Sequence, residues 1–173
     1  MNIDLNRTVG WIGSVDEENF KKVSGDIGRL MKKSKKKPIY LIVNSGGGST
    51  AAGFGFYDMM MLFKPNLVTI GTGDVSSIAI IVWLAGKKRF LTKHCSLFFH
   101  EIGRTFKGSS RYDTTEIRSV HENLTTDENF YAAIVAASSR GRLSKKQVIE
   151  LLQKEKTLLP EEVRALGLAH AIV

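Results

Sequence analysis

Cysteine and proline are scarce in this sequence of 173 residues, which holds one cysteine, Cys95, and three prolines. A single cysteine excludes a disulfide framework within the chain. Three prolines and 16 scattered glycines exclude a collagen-like or linker-like chain, and a hydrophobic content of 43% excludes disorder. A chain of this length buries roughly 70% of the surface that its unfolded form exposes. We therefore expect one soluble globular domain over residues 1–173.

Long apolar runs are also missing. The longest uncharged one extends from Ile78 to Ala85, far short of the roughly 20 residues that cross a bilayer. The segment from Met1 to Arg7 has an acid before a base and no apolar stretch, so it does not have the form of a secretory signal. We expect a cytoplasmic protein that does not use a membrane.

Positive charge is in excess, because 25 Lys and Arg against 17 Asp and Glu give a net charge of +8. Five lysines lie between Met31 and Pro38, a density that could indicate a nucleic-acid-binding patch. The run, however, follows an amphipathic helix, whose C-terminal end favours cations, and it precedes a strand. We favour a solvated turn at this place and expect no nucleic-acid partner.

Strand and helix patterns alternate over the first hundred residues. Short apolar runs predict strands at 9–12, 39–43, 67–70, 89–91 and 96–100, and helical spacing predicts helices at about 15–32, 51–63 and 77–85. Ser14 and Glu17 have the spacing of a capping box, and Gly71 to Asp74 is predicted to be a turn. The alternation indicates an α/β fold with a mostly parallel sheet.

The last third of the chain has a different, mainly helical character. A polar segment at 103–111 precedes a long helical pattern from Ile117 to Ile134. A second capping box at Ser144 and Gln147 predicts a helix through Leu152. A final helix is predicted between Pro160 and Gly167.

Three successive glycines follow the second predicted strand, in the loop from Asn44 to Ser49. Such a loop leaves backbone N–H groups exposed at a helix N-terminus, where they can hold an anion or an oxyanion. The loop lacks the lysine of a P-loop and the glycine spacing of a dinucleotide fingerprint. The alternative is a plain tight turn.

Two further segments contain side chains that could react. Ser76 or Ser77, at the mouth of an apolar helix, is ordinarily an N-cap, but a hydroxyl there could also be a nucleophile whose oxyanion the helix N-terminus stabilises. His100 closes a predicted strand, where a structural role is the alternative. Glu101 cannot orient His100, because neighbouring side chains on a strand point to opposite faces.

Five segments, taken in order, carry a resemblance to a known family. They are 44–53 with Tyr57-Asp58, 73–79, 86–89, Leu97-Phe-Phe-His100 and 161–168. In this order they resemble the ClpP-type proteases, and the resemblance covers nearly the whole chain from Arg7. It implies the ClpP/crotonase-like fold, with repeated ββα units, a mostly parallel sheet and a helical handle at about 103–140 that starts with a strand over 103–111.

The resemblance also implies an activity and its residues. It implies a serine peptidase without metal or cofactor that forms a ring-shaped homo-oligomer and cleaves peptides or unfolded proteins. Ser77 would be the nucleophile and His100 the general base, with the backbone N–H groups of Gly47 and Ile78 as the oxyanion hole. Counting back from the closing motif puts the third triad member on Glu155, for which a solvated surface position is the alternative.

The sequence departs from the family pattern at several places. The family has aspartate where Glu155 stands and proline where Gly46 stands, and Asp74 brings a carboxylate close to the nucleophile. ClpP subunits carry a further N-terminal segment that meets an ATPase ring, so we expect weak or no coupling to a Clp ATPase. Two other functions stay open: a catalytically inactive ClpP-like structural subunit, and a crotonase-type acyl-CoA enzyme.

Overall fold

The computed structural model describes residues 1–106, 108 and 111–173, and over these residues strands and helices alternate. The strands are β1 (Thr8–Ile12), β2 (Ile39–Ser45), β3 (Leu67–Val75), β4 (Lys88–Leu91), β5 (Leu97–Phe98), β6 (Thr157–Leu158) and β7 (Ala171–Ile172). The helices are α1 (Glu17–Lys33), α2 (Thr50–Phe63), α3 (Ala79–Leu84), α4 (Thr114–Ser138), α5 (Lys145–Gln153) and α6 (Pro160–Ala165). The predicted α/β class is confirmed.

The strands form one parallel sheet and one small antiparallel ladder. The sheet has the order β1-β2-β3-β4-β7, and every pair in it is parallel. The ladder joins β5 to β6. All six residues of α3 are buried, and its Trp83 is fully enclosed, so α3 is the central helix of the core. This burial agrees with the all-apolar sequence of the helix.

β3 is longer than predicted, and the prediction of a turn at 71–74 is wrong because these residues belong to the strand. The strand continues to Val75, which pairs with Ser45 after a shift in register. Gly71 serves close packing instead of a turn, because a Cβ on it would lie 2.7 Å from Leu91 Cδ2. The longer β3 carries the chain directly to the serine pair.

Three predicted boundaries also change. α1 is capped by the side chain of Asp16, not by Ser14. α3 begins at Ala79 and not at residue 77, since Ser77 has a φ of 55°, outside the helical region. β5 ends at Phe98, so His100 lies in the loop that follows the strand.

In the handle region, the described residues in front of the helix form no strand. The described residues of 103–111 are irregular, so a strand there is not observed, and Lys107, Ser109 and Ser110 lie outside the described residues. A capping box formed by Asp113 and Glu116 opens α4, and much of the first half of this helix is exposed. Among the described residues, no helix is both long enough and apolar enough to cross a membrane.

Several local predictions are confirmed. Ser144 and Gln147 form the expected capping box of α5. Pro160 is the first residue of α6, and Gly167 follows that helix with a φ of 73°. α1 ends at Lys33, and the lysines at 35–37 are exposed in the turn before β2, as the sequence predicts.

Candidate active site

Ser77 stands between the end of β3 and the start of α3. Its φ of 55° is uncommon for a residue with a side chain and is a strained conformation that persists only when neighbours hold it. Its N–H donates to the Phe98 carbonyl over 2.9 Å, and its own carbonyl accepts from the Ile80 N–H at 3.1 Å and the Tyr131 hydroxyl at 3.3 Å. These three hydrogen bonds hold the backbone of Ser77 in place.

His100 follows β5 closely and comes near the serine through that strand. Its ring stacks on Phe98, with centroids 5.5 Å apart and planes 27° apart. His100 Nδ1 lies 2.7 Å from the Glu101 carbonyl oxygen. Because a carbonyl oxygen only accepts, Nδ1 must hold the proton, which leaves Nε2 of the neutral ring as the acceptor. A general base needs this tautomer.

Ser77 and His100 line the same small cavity of about 90 Å³. The other lining residues are Gly48, Thr50, Ile78, Ile102, Gly103 and Tyr131. No carboxylate belongs to this lining among the described residues. Burial raises the pKa of the Tyr131 phenol well above its ordinary value, so Tyr131 remains a neutral donor beneath the serine. Over the described chain, Ser77 and His100 make no hydrogen bond to each other.

The glycine loop packs directly against Ser77. A Cβ on Gly47 would lie 2.6 Å from Ser77 Cβ, so a larger residue cannot stand there without displacing the serine. The Gly47 N–H, however, donates to Ser45 Oγ over 3.1 Å, which uses the donor that the sequence assigned to the oxyanion hole. The N–H groups of Gly48 and Ile78 have no partner among the described residues, and both residues line the cavity. Of the two predicted donors, the Ile78 amide is thus without a partner among the described residues, and the Gly47 amide is bonded while its neighbour Gly48 is not.

Glu155 precedes β6, and His100 follows β5, the strand with which β6 pairs. Leu97 pairs with Leu158 and Phe98 with Thr157, and the Phe99 N–H donates to the Lys156 carbonyl over 2.9 Å. Glu155 and His100 stand next in sequence to this last bond, outside the ladder. Glu155 is exposed with a φ of 47°, and within the described residues it makes no hydrogen bond to the histidine.

Asp74 is held away from the cavity. Its carboxylate accepts a hydrogen bond from the Ser76 hydroxyl, and a Cβ on Gly46 would lie 3.7 Å from Asp74 Oδ2. Asp74 is not among the residues that line the Ser77 cavity. The carboxylate that the sequence placed near the nucleophile thus lies behind the glycine loop, where Ser76 binds it.

The sequence did not point to two groups of this site. The Glu101 backbone carbonyl, not its side chain, holds the histidine, and Tyr131 reaches the serine from α4, 54 residues away in the chain. No local pattern marks either group, because one is a backbone atom and the other lies on the apolar side of a long helix.

The cavity is lined by a serine between a strand and a helix, a histidine with Nε2 free to accept a proton, and two residues whose amides have no partner among the described residues. Such a combination is typical of α/β hydrolytic enzymes. The family model described as Clp protease matches residues 2–173. The chain therefore belongs to the Clp protease family, which confirms the resemblance seen in the motifs.

Individual relatives carry names from the same family. The chain is 33% identical over 103 residues to ATP-dependent Clp protease proteolytic subunit 1 of Leifsonia xyli subsp. xyli (strain CTCB07), covering 58% of this chain and 52% of the relative. It is 33% identical over 94 residues to proteolytic subunit 2 of Bifidobacterium longum (strain NCC 2705), covering 53% and 45%. Against proteolytic subunit 2 of Tropheryma whipplei (strain Twist) it is 25% identical over 171 residues, covering 97% and 92%. The chain thus spans about half the length of the first two relatives.

Proposed function

We propose that this protein is a serine endopeptidase that hydrolyses peptide bonds through an acyl-enzyme on Ser77. The observation that carries the proposal is the cavity in which the strained Ser77, His100 and the amides of Gly48 and Ile78 meet. Membership of the Clp protease family supports a peptidase, and it weighs against the crotonase-type alternative.

The chemistry follows from these groups. Ser77 Oγ forms a bond to the peptide carbonyl carbon while its proton passes to His100 Nε2, and the carbonyl oxygen becomes an oxyanion held by the N–H groups of Gly48 and Ile78. The carbon–nitrogen bond then breaks, and His100 gives its proton to the leaving amine. A water molecule, deprotonated by His100, then attacks the acyl-enzyme in the same way. This step releases the second product and restores the serine.

The orientation of His100 is proposed to depend on Glu155. The ladder supports this assignment, because Glu155 lies two residues before β6 and His100 two residues after β5, its paired strand. In this structure the Glu101 carbonyl accepts the hydrogen bond from His100 Nδ1–H. The Glu155 carboxylate would therefore share or replace that contact when substrate is bound. We expect both Glu155→Gln and Glu155→Ala to lower kcat at least about tenfold in a peptide-hydrolysis assay. Unchanged turnover in both variants would remove Glu155 from the mechanism and leave the Glu101 carbonyl as the orienting group.

The nucleophile is tested with a fluorophosphonate probe, which reacts with activated serines. We expect labelling of the wild type and of Ser76→Ala, and none of Ser77→Ala. Ser76→Ala is the matched control, because it removes the neighbouring hydroxyl, whose partner is Asp74 and not the cavity. Equal labelling of Ser77→Ala would show that another residue reacts.

A catalytically inactive structural subunit is the second candidate. One observation favours it: within the described residues no hydrogen bond links Ser77, His100 and Glu155 into a relay. The same probe separates the two functions, since an inactive subunit leaves the wild type unlabelled while Glu155→Gln changes nothing.

We also propose a ring-shaped homo-oligomer. The first part of α4 and the segment before it expose large apolar side chains, among them Phe106 and Ile117 at 50% and 58%. A surface of this kind is usually covered by a partner. Native mass spectrometry is expected to find a closed ring of identical subunits, and a monomer at micromolar concentration would contradict the proposal.

A further inference from the structure

A large cavity of about 910 Å³ shares no lining residue with the Ser77 cavity. It lies where three helices end: Lys64 follows α2, Ala85 follows α3, and Ser138 closes α4. Its size is in the range of cavities that enclose a small organic ligand. The proposed peptidase mechanism uses no residue of this cavity.

Positive charge is concentrated around this cavity. Six of its lining residues are lysine or arginine, namely Lys35, Lys36, Lys64, Lys87, Arg89 and Arg140. Among the described residues of the lining there is no Asp or Glu. The ion pairs found over the described chain involve Lys21, Arg29 and Arg164, so none of them neutralises a cation of this cavity.

Among the described residues, only one of the six cations is held by hydrogen bonds within the protein. Arg89 is 9% exposed, and its guanidinium donates to the carbonyls of Leu168, Gly86 and Ser138 over 2.6, 3.3 and 3.0 Å. These bonds satisfy carbonyls at the ends of α3 and α4. The other five side chains belong to exposed residues and make no hydrogen bond within the described structure. Their charges remain available to a ligand.

The charges repel one another in the absence of an anion. Burial, and to a smaller extent the neighbouring charge of Arg140, lowers the pKa of Arg89 to about 10. Burial, Arg140 and Arg89 lower the pKa of His170, another lining residue. His170 Nδ1 accepts the Arg89 backbone N–H over 3.1 Å, so the neutral ring carries its proton on Nε2 and can donate it.

Apolar groups complete the cavity. Tyr57, Met60, Met61, Pro65 and Leu84 also line it, so cations stand beside an apolar surface. An extended acidic peptide fits best on a long basic stripe, whereas here the cations line one concave space. We propose that this cavity binds a compact polyphosphate anion, either inorganic or carried by a nucleoside.

The proposal is tested on the assembled wild-type protein by isothermal titration calorimetry with four probes. The probes are inorganic tripolyphosphate, ATP, adenosine and a ten-residue polyglutamate peptide. We expect saturable binding of tripolyphosphate and ATP that weakens as salt is raised, and none of adenosine. Tighter binding of ATP than of tripolyphosphate identifies a nucleotide site that uses the apolar groups, and the reverse order identifies an inorganic polyphosphate site.

A pair of double variants locates the site. Lys64→Gln with Arg140→Gln removes two charges from the cavity, and Lys93→Gln with Lys146→Gln removes two exposed charges elsewhere. We expect the cavity variant to raise Kd for tripolyphosphate about tenfold, which corresponds to about 1.4 kcal/mol, and the control to leave it unchanged. Equal weakening in both variants, or no saturable binding of either polyphosphate, overturns the proposal. Tighter binding of polyglutamate than of tripolyphosphate overturns it too, in favour of an acidic protein partner.

Discussion

Gly53 in α2 lies against Ile78, the residue whose amide is a proposed oxyanion donor. A Cβ built on Gly53 would lie 2.3 Å from Ile78 Cγ1 and 3.1 Å from its Cδ1. Carbon atoms in contact are ordinarily 3.5–4.0 Å apart, so Gly53→Ala forces a movement of about 1 Å in Ile78 or in α2. Alanine gains about 1 kcal/mol in a helix, but overpacking of a core costs about 1–3 kcal/mol. We expect a net loss of up to about 2 kcal/mol of stability.

Gly55 provides the matched control in the same helix. A Cβ there would lie 3.7 Å from Phe20 Cζ, an ordinary contact. Gly55→Ala is therefore expected to gain about 0.5–1 kcal/mol from helix propensity alone. The two variants have the same composition and differ only in what the added methyl group meets.

Urea unfolding, followed by circular dichroism, measures the free energy of unfolding of both variants. If the wild type reacts with the fluorophosphonate probe, the rate of labelling tests the site as well, since a displacement of about 1 Å in a catalytic group can cost about 100-fold in rate. We expect Gly53→Ala to be less stable and to label more slowly, and Gly55→Ala to keep the wild-type rate. A Gly53→Ala protein as stable as Gly55→Ala would refute the reasoning.

Three further predictions concern buried polar groups. Tyr131→Phe is expected to lower the free energy of unfolding by only about 1 kcal/mol in thermal melts, because the Ser77 carbonyl keeps a second donor; a loss above about 3 kcal/mol would contradict this. Burial raises the pKa of Cys95 from 9.0 to about 12, so the stability gained from its neutral thiol is present below pH 9 and is lost as pH rises toward 12. Cys95→Ala should reduce that alkaline loss in urea titrations, and an unchanged slope would disprove the linkage. Arg7→Met removes the donor of four carbonyl groups, of which only that of Leu30 keeps a second one, the Ser34 N–H. It should cost about 3 kcal/mol or more in urea unfolding, against less than about 0.5 kcal/mol for the exposed Arg29→Met.

The sequence was sufficient to predict the parallel sheet and most helices. Continuous apolar runs such as 39–43 can only be strands or buried helices, and their short length decides for strands. The end of β3 was missed because a glycine signals both a turn and close packing. Gly71 has the second role, which depends on Leu91 of the next strand and so is not visible in the local pattern.

The sequence pointed to the side chains of the proposed site more readily than to its backbone groups. Ser77 and His100 were identified from motifs, and the structure brings both to one cavity. The choice between Gly47 and Gly48 depends on a hydrogen bond from Gly47 to Ser45 Oγ, which no spacing rule reveals. The basic cavity was not predicted, because its cations come from segments far apart in the sequence and meet only after folding.

The two halves of the site are anchored with unequal strength. Ser77 follows directly from β3, which has a hydrogen-bonded neighbour strand on each side, whereas His100 depends on β5, a strand of two residues. Short ladders open at a lower free energy than central strands. On warming, the histidine is therefore expected to leave the serine while the sheet is still intact. Backbone amides near β5 and β6 should exchange with deuterium through this partial opening, those of β3 only on global unfolding, and inactivation by heat should be reversible well below the melting temperature.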